Sequence, residues 1–234
     1  MKNNKKHIII GAGEVGVSLF KVLTQYYDVV LRNKDSNLEG KFDIIHICYP
    51  YNKNFIKISK FYIKKYQSNL VIVHSTIPVG TTKKISLTAV HSPIRGLHPN
   101  LEKGIKTFVK YFGGKKAKEA ANIFSNIGIK TQCFKKSETT ELLKILDTTY
   151  YGWNIIFAKE VKRICDKMKL NFDEVYTIAN RDYNKGYKKL GKSNVVRPVL
   201  KAMPGKIGGH CIIPNTDLLK DWATDIIKKR NKKY

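Results

Sequence analysis

Short apolar runs alternate with segments of helical periodicity along the first half of the chain. Four such runs predict strands at residues 7–10, 28–31, 43–48 and 70–74. Apolar residues recur at helical spacing after the first run and between the last two. This alternation is typical of a parallel sheet that helices cover on both faces. The pattern therefore predicts an α/β fold.

The connection between the second and third predicted strands is short. Nine residues separate Asn33 from Asp43, whereas a parallel crossover usually takes about a dozen or more. We therefore expect a single turn of helix there instead of a full helix. Farther along, the pattern predicts a helix at 117–125 and two more strands, near residues 108–112 and 127–133.

A glycine motif follows the first strand and opens the first helix. In Gly11-x-Gly13-x-x-Gly16, the first glycine permits a tight turn and the second lets a pyrophosphate approach the backbone. The third lets helix and strand pack closely. The helix N-terminus, with Glu14 and Val15, offers free N–H groups and a positive dipole to the phosphates. The motif predicts a dinucleotide-binding, Rossmann-type sheet.

Helical periodicity dominates the second half of the chain. Residues 138–168 contain no proline and one glycine, and their apolar positions predict a helix of roughly 30 residues. After it we expect a helix, a loop and a last helix, at residues 171–178, 182–192 and 217–227. We therefore predict a dinucleotide-binding domain at 1–136 and a helical domain with one long helix at 137–234.

The end of the second strand normally selects between the two nicotinamide dinucleotides. An acidic residue there binds the ribose 2′-hydroxyl of NAD, but the residue at that position is Asn33. Arg32 and Lys34 are suited to the 2′-phosphate of NADP, while Asp35 serves NAD if the turn is displaced. The sequence leaves NAD and NADP as open alternatives.

Two further segments carry candidate chemistry. Ser75 and Thr76 follow the fourth strand, and Tyr49 follows the third, at the edge where parallel sheets bind ligands. Near the end of the chain, Cys211 follows Gly-Gly-His210 on a turn rich in backbone N–H groups. A thiolate on such a turn is able to attack a carbonyl carbon. The alternatives are an ordinary strand end and a small core cysteine.

Taken together, these segments resemble one family, the UDP-glucose/GDP-mannose dehydrogenases. The sequences GAGEVG, HSTIPVGTT and PGKIGGHC occur in the family's order. The segment that contains Lys144 resembles its central, dimer-forming helix. The resemblance implies NAD-dependent oxidation of a nucleotide sugar at its C6 alcohol. It also implies that Cys211 is the nucleophile, that Lys144 stabilises negative charge on oxygen, and that Thr76 positions a water or the nicotinamide.

The sequence departs from the family pattern at several positions. Thr148 and Asn215 replace an asparagine and an acid, and Ile94 replaces a glutamate. We consider Glu138 and Asp217 as substitute general bases. The sequence ends soon after the cysteine segment, so we expect the family's third domain, which binds much of the nucleotide sugar, to be missing. A smaller substrate, a partner chain or lost chemistry would each account for these departures.

Charge and composition narrow the function classes. The formal net charge is +26, yet only six of the 44 basic residues are arginine, and no nucleic-acid recognition motif accompanies them. No apolar run is long enough to span a membrane. The spread of four cysteines without a CxxC pair favours a reducing cytoplasm. No histidine spacing predicts a metal site. Arg95, His98 and His210 are weaker candidates for substrate binding.

We therefore expect an NAD(P)-dependent dehydrogenase, a homodimer through the long helix, that oxidises an alcohol of a sugar or nucleotide sugar. One alternative is a two-electron hydroxyacid-type dehydrogenase of the same superfamily, in which Cys211 is structural. The other is a non-catalytic dinucleotide-binding protein.

Overall fold

The computed structural model describes residues 3–209 and 211–234. The chain forms two compact units, Met1–Lys144 and Ile145–Tyr234. The division falls inside the long helix, a few residues after the domain boundary predicted at 136/137, and that boundary stays a prediction.

The first unit is built on a sheet of seven strands, counted over the described residues, in the order β2-β1-β3-β4-β5-β6-β7. Every neighbouring pair is parallel except β5 and β6. The strands are β1 (Asn3–Ile10), β2 (Tyr27–Arg32), β3 (Ile44–Ile47), β4 (Leu70–Val73), β5 (Val90–His91), β6 (Lys110–Gly113) and β7 (Thr131–Phe134). The mostly parallel α/β sheet predicted from the sequence is confirmed. The two-residue β5 is too short to leave a pattern in the sequence.

Five helices of the described residues cover this sheet. They are α1 (Glu14–Leu23), α2 (Phe55–Tyr66), α3 (Thr81–Ile85), α4 (Leu101–Thr107) and α5 (Ala117–Ser125). Side chains alternate between the faces of β1, so Ile9 packs with Leu19 and Phe124, while Ile8 packs with Phe55 and Tyr66. Both faces of the sheet are therefore buried, as a parallel sheet requires.

Two details of this unit differ from the sequence-based expectations. The chain between β2 and β3 forms a turn, closed by Ser36 N donating to Asn33 O at 3.2 Å, and contains no helix. An extended chain covers more distance per residue than a helix, so the eleven residues from Asn33 to Asp43 suffice to pass from one side of β1 to the other. Gly128, with φ +82°, closes α5 and delays the start of β7.

The long helix α6 (Ser137–Met168) has 32 residues, which confirms the predicted helix. It is followed by a π-helix (Asp173–Ile178) that continues into α7 (Ala179–Lys189). The loop expected at 182–192 is therefore wrong over most of its length. Its Lys- and Gly-rich composition is that of a solvated helix without proline, on which Tyr183 and Tyr187 contact each other with ring centroids 4.5 Å apart.

Three shorter elements complete the second unit. They are a 3₁₀-helix (Ser193–Val195), α8 (Ile212–Thr216) and α9 (Trp222–Asn231). The last helix begins later than the predicted residue 217, because the Asp221 carboxylate accepts a hydrogen bond from Ala223 N and caps it at that point. Over the described residues, no helix combines the length and the apolar character needed to cross a membrane.

Candidate functional site

The three motif glycines occupy three different environments. Gly11 has φ +108°, and a Cβ there would lie 2.7 Å from the backbone N of Tyr49. A Cβ on Gly16 would lie 1.8 Å from Gly11 O, so α1 packs against the turn in a way only glycine permits. A Cβ on Gly13, in contrast, meets no atom of the described chain within 4 Å. The turn is therefore tightly packed at Gly11 and Gly16, and it has free space next to the Cα of Gly13.

The N-terminus of α1 faces this opening without a side-chain cap. Gly13 is the N-cap residue and its backbone O accepts only the first helical bond, from Val17 N at 2.9 Å. The N–H groups of the first helical turn, which includes Glu14 and Val15, have no acceptor inside an α-helix. These groups and the helix dipole suit a phosphate, so the residues present fit a dinucleotide pyrophosphate.

Arg32 lies at the end of β2 and is half-buried. Its Nη1 donates to the hydroxyl of Tyr62 at 2.9 Å and to Asn33 O at 3.1 Å, and its guanidinium carbon lies 4.8 Å from the centre of the Tyr62 ring. Its buried Nε has no hydrogen-bond partner within the part of the chain that the structure describes. Asn33 accepts from Lys34 N through its side chain, and Asp35 is exposed. A cation, not a carboxylate, is therefore held at this strand end.

Tyr49 and Ser75 come together beside the glycine turn. Ser75 Oγ donates to Tyr49 O at 2.6 Å, and the Tyr49 hydroxyl lies 2.7 Å from Ser59 Oγ. Burial raises the pKa of Tyr49 to about 12. Thr76 follows Ser75 and is half-buried. These residues lie at the carboxyl edge of the parallel strands, where ligands bind in folds of this kind.

The start of α6 places a buried carboxylate against the loop from Ser75 to Thr82, which follows β4. Glu141 is fully buried, and its two oxygens accept hydrogen bonds from Gly80 N at 2.5 Å and Thr82 N at 2.8 Å. Burial raises its pKa, although the two hydrogen bonds oppose that effect. Lys144 lies three residues later on the same face of the helix. Sequence reasoning did not assign a role to Glu141, and its spacing from Lys144 is the signal that was available.

Cys211 belongs to the second unit, where it is half-buried directly before α8. Lys144 belongs to the first unit, and the joint role of these residues stays a prediction. His210 lies outside the described residues. In the second unit, the amide of the buried Asn215 donates to the hydroxyl of Thr148 at 3.3 Å. Two of the positions that depart from the family pattern are therefore in contact with each other.

The weaker candidates make contacts of their own within each unit. The Arg95 guanidinium carbon lies 4.2 Å from the centre of the Tyr111 ring, and His98 Nδ1 lies 2.6 Å from a Glu14 carboxylate oxygen. Ile94 is buried. Glu138 forms an ion pair with Lys83, and Asp217 lies 3.2 Å from Lys228 Nζ. Roles of Arg95 and His98 in substrate binding stay predictions.

The second half of the chain matches a known family model. The UDP-glucose/GDP-mannose dehydrogenase family, central domain, matches residues 138–228. The UDP-N-acetyl-D-mannosamine dehydrogenase of Methanococcus maripaludis is 33% identical over 153 residues, which are 62% of this chain and 33% of that protein. The match thus spans about a third of the length of that relative.

Solved structures share the fold. The UDP-D-ManNAc dehydrogenase from Pyrococcus horikoshii has a TM-score of 0.79 at 19% identity, covering 97% of this chain and 68% of that one. The 3-hydroxyisobutyrate dehydrogenase from Mycobacterium tuberculosis has a TM-score of 0.70 at 12% identity, covering 100% of this chain and 94% of that one. The family model, the curated relatives and the three motifs agree that the chain is similar to the UDP-glucose/GDP-mannose dehydrogenases, with residues 138–228 matching their central domain.

Proposed function

We propose that this protein is an NAD(P)-dependent dehydrogenase that oxidises an alcohol of a nucleotide sugar. The observation that carries the proposal is the free space next to Gly13 at the uncapped N-terminus of α1, in a chain whose residues 138–228 match this family's central domain. The names of the relatives favour a nucleotide sugar with an N-acetylated hexose. The cysteine pattern favours a reducing cytoplasm as its location.

The cofactor is held by backbone and side chains of the first unit. The turn from Gly11 to Gly16 and the first N–H groups of α1 would hold the pyrophosphate, and Arg32 and Asn33 would hold the adenosine ribose. Tyr49, Ser75 and Thr76 would contact the nicotinamide side of the cofactor. When bound, NAD or NADP supplies a hydride acceptor. The strand end carries the half-buried Arg32 and has Asn33 where NAD-binding proteins have an acidic residue, which favours NADP. The family resemblance favours NAD.

The protein's own groups then handle the oxygen and the carbon of the alcohol. Lys144 donates a hydrogen bond to the substrate oxygen, because negative charge develops there as the proton and the hydride leave. Thr76 orients the alcohol or the water that replaces it. The Cys211 thiolate would attack the resulting aldehyde carbon to form a thiohemiacetal, and its oxidation, with NAD or NADP as the hydride acceptor, would leave a thioester. Water releases the acid and returns the thiol.

The contact between Asn215 and Thr148 bears on the last of these steps. An amide and a hydroxyl occupy positions where the family carries an acid and an amide, and neither of these groups is a good general base for water. We therefore expect the thioester to form and to be hydrolysed slowly. This observation also favours a second candidate function, a two-electron oxidation that stops at the carbonyl product.

The test measures cofactor reduction and protein mass together. The wild type is mixed with NAD or NADP and UDP-N-acetyl-D-mannosamine, the substrate named for the relatives, and intact mass is recorded over time. We expect an adduct that is absent in Cys211→Ser and present in Cys133→Ser, a matched control on β7. Asn215→Asp should speed the release of the adduct and raise steady-state turnover by about tenfold or more, because it restores a general base.

Three outcomes decide between the candidates. Cofactor reduction without an adduct, unchanged in Cys211→Ser, supports the two-electron oxidation and refutes the role of Cys211. An adduct that persists in Cys211→Ser also refutes it. No reduction of either cofactor by the wild type, together with no binding of either at millimolar concentration, refutes the proposed dehydrogenase.

A further inference from the structure

We infer that Glu141 is a positioning residue, which holds the loop from Ser75 to Thr82 at a set distance from Lys144. The inference rests on the proposed function, because it concerns the geometry of that reaction. Glu141 is a fully buried carboxylate in the second turn of α6, and nothing in the proposed chemistry uses it as an acid or a base.

The contacts of Glu141 explain why a charge is placed there. A buried carboxylate is unfavourable unless its oxygens are hydrogen-bonded. Glu141 Oε2 accepts from Gly80 N at 2.5 Å and Oε1 accepts from Thr82 N at 2.8 Å. Both N–H groups belong to the N-terminal end of α3, so neither has an acceptor inside that helix. The carboxylate therefore satisfies two backbone donors at once and fixes one end of the loop to α6.

Thr140, the residue before Glu141 on α6, fixes the other end of the loop through His91. His91 Nε2 lies 3.1 Å from Ser75 O, and its Nδ1 lies 2.9 Å from Thr140 Oγ1. Because a carbonyl only accepts, Nε2 carries the proton and Nδ1 accepts from the Thr140 hydroxyl. Burial lowers the pKa of His91 to about 3, which keeps the ring neutral and this arrangement intact.

Thr140 and Glu141 together form a clamp on the loop. Thr140 holds Ser75 through His91, and Glu141 holds Gly80 and Thr82 directly. Lys144 lies less than one helical turn beyond this clamp, and Thr76 lies between its two points of attachment. The clamp thus ties the candidate cation and the candidate threonine to each other, across a part of the chain about 60 residues long between Thr82 and Glu141.

The decisive variant is Glu141→Gln, which keeps the size of the side chain. One half of the amide is a donor, so it faces a backbone N–H without an acceptor and the loop is released at one point. We expect kcat to fall by about 10²-fold, the typical effect of a displacement of about 1 Å at a reacting centre. The cofactor Kd should change less than about twofold, and the pH profile of kcat should keep its shape, because no proton transfer is lost. Glu119→Gln removes the charge of an exposed carboxylate on α5 that pairs with Lys116 at 3.5 Å; it is the matched control and should leave kcat unchanged.

Hydrogen exchange separates the clamp from the reaction. The amides of Gly80 and Thr82 should be protected in the wild type and in Glu119→Gln, and should exchange at least about tenfold faster in Glu141→Gln. If Glu141→Gln does not fold, Thr140→Val serves instead; it keeps the shape of the side chain, removes the hydroxyl that bonds His91 and Ser137 O, and should lower kcat about tenfold.

Each result has a definite meaning. Faster exchange together with an unchanged kcat overturns the positioning role, and so does a lowered kcat with unchanged exchange. Equal exchange in wild type and Glu141→Gln overturns the clamp itself. No turnover by the wild type, with Gly80 and Thr82 protected, refutes the proposed function and the positioning role and leaves the clamp standing as structure.

Discussion

At the scale of single residues, the glycine motif shows how one repeated residue serves three purposes. Gly11 and Gly16 are required by the packing of the protein itself, because a Cβ at either position would overlap backbone atoms. Gly13 has open space around its Cα, so the folded chain alone does not require it. A glycine that the protein does not need for its own packing is accounted for by a ligand that approaches the backbone.

A cofactor-binding measurement tests this distinction and the role of Arg32. Gly13→Val should fold with little loss of stability and lose binding of both NAD and NADP, because its side chain fills the space for the pyrophosphate. Arg32→Ala should weaken NADP by about tenfold or more and NAD by much less, since only NADP carries the 2′-phosphate. Calorimetry on the two variants measures both effects. Unchanged binding in Gly13→Val, or equal effects of Arg32→Ala on both cofactors, would contradict these assignments.

At the scale of elements, a row of buried histidines crosses the sheet on one face. His7 Nδ1 lies 3.0 Å from His46 Nε2, His46 Nδ1 lies 3.0 Å from His74 Nε2, and His74 Nδ1 lies 2.7 Å from Ser92 O. The Ser92 carbonyl accepts, so His74 carries its proton on Nδ1. Each ring in turn then donates from Nδ1. The three histidines on β1, on β3 and after β4 thus form a chain of neutral imidazoles, in which every hydrogen bond is donated in the direction from His7 to Ser92.

A buried lysine side chain lies at the end of this row. Lys110 Nζ lies 3.2 Å from Ser92 O, and burial lowers the pKa of Lys110 to about 7. Burial also lowers the pKa of His7 to about 4, a shift that Lys5 adds to and that Asp43 and Asp28 oppose. Cys48 and Arg95 are the other titratable or charged groups that act on Lys110. These buried groups favour the neutral form, because water does not solvate a charge in the interior of the sheet.

The pKa shifts predict how stability depends on pH. The unfolded chain binds more protons than the folded chain between pH 10.5 and about 7 for Lys110, and between pH 6.5 and about 4 for His7. Stability should therefore rise with pH through both ranges. Urea unfolding from pH 5 to pH 8 should show this slope, and His46→Gln should be less stable at pH 8 and have a shallower slope. The exposed His98→Gln is the control, and an equal slope in all three proteins would contradict the prediction.

At the scale of the whole molecule, the long helix α6 carries apolar side chains that the described chain leaves exposed. Tyr150 and Phe157 are 63% and 62% exposed, and Leu146, Ile164 and Met168 continue the same stripe. A surface of this kind on a helix is typical of an interface between subunits. We expect a homodimer through α6, as the sequence analysis anticipated.

Light scattering of paired variants tests the assembly. Phe157→Lys should convert a dimer to a monomer at micromolar concentration, because it places a charge in the apolar stripe. Phe61→Lys changes an equally exposed phenylalanine, 60% exposed, on α2 and should leave the dimer intact. A wild type that is already monomeric at this concentration would refute the interface.

Local patterns predicted much of the fold. The short apolar runs of β1 and β3, the glycine turn after β1 and the unbroken helical period of α6 depend on neighbours in the chain, so they are visible in the sequence. The same locality explains the errors. The loop at 182–192 and the helix start at residue 217 were predicted from composition. In the structure, the Tyr183–Tyr187 contact lies within α7, and the Asp221 cap sets the start of α9.

What the sequence by itself determined is the α/β class, the place of the glycine turn and the likeness to the nucleotide-sugar dehydrogenases. The tertiary structure alone decided which distant residues meet: Glu141 with Thr82, 59 residues away, Asn215 with Thr148, 67 residues away, and the histidines of separate strands. The physical reason is that local conformation follows from short-range sterics and periodicity. A buried carboxylate or imidazole finds its partners only when the packed sheet and helices bring remote backbone and side-chain groups within about 3 Å of it.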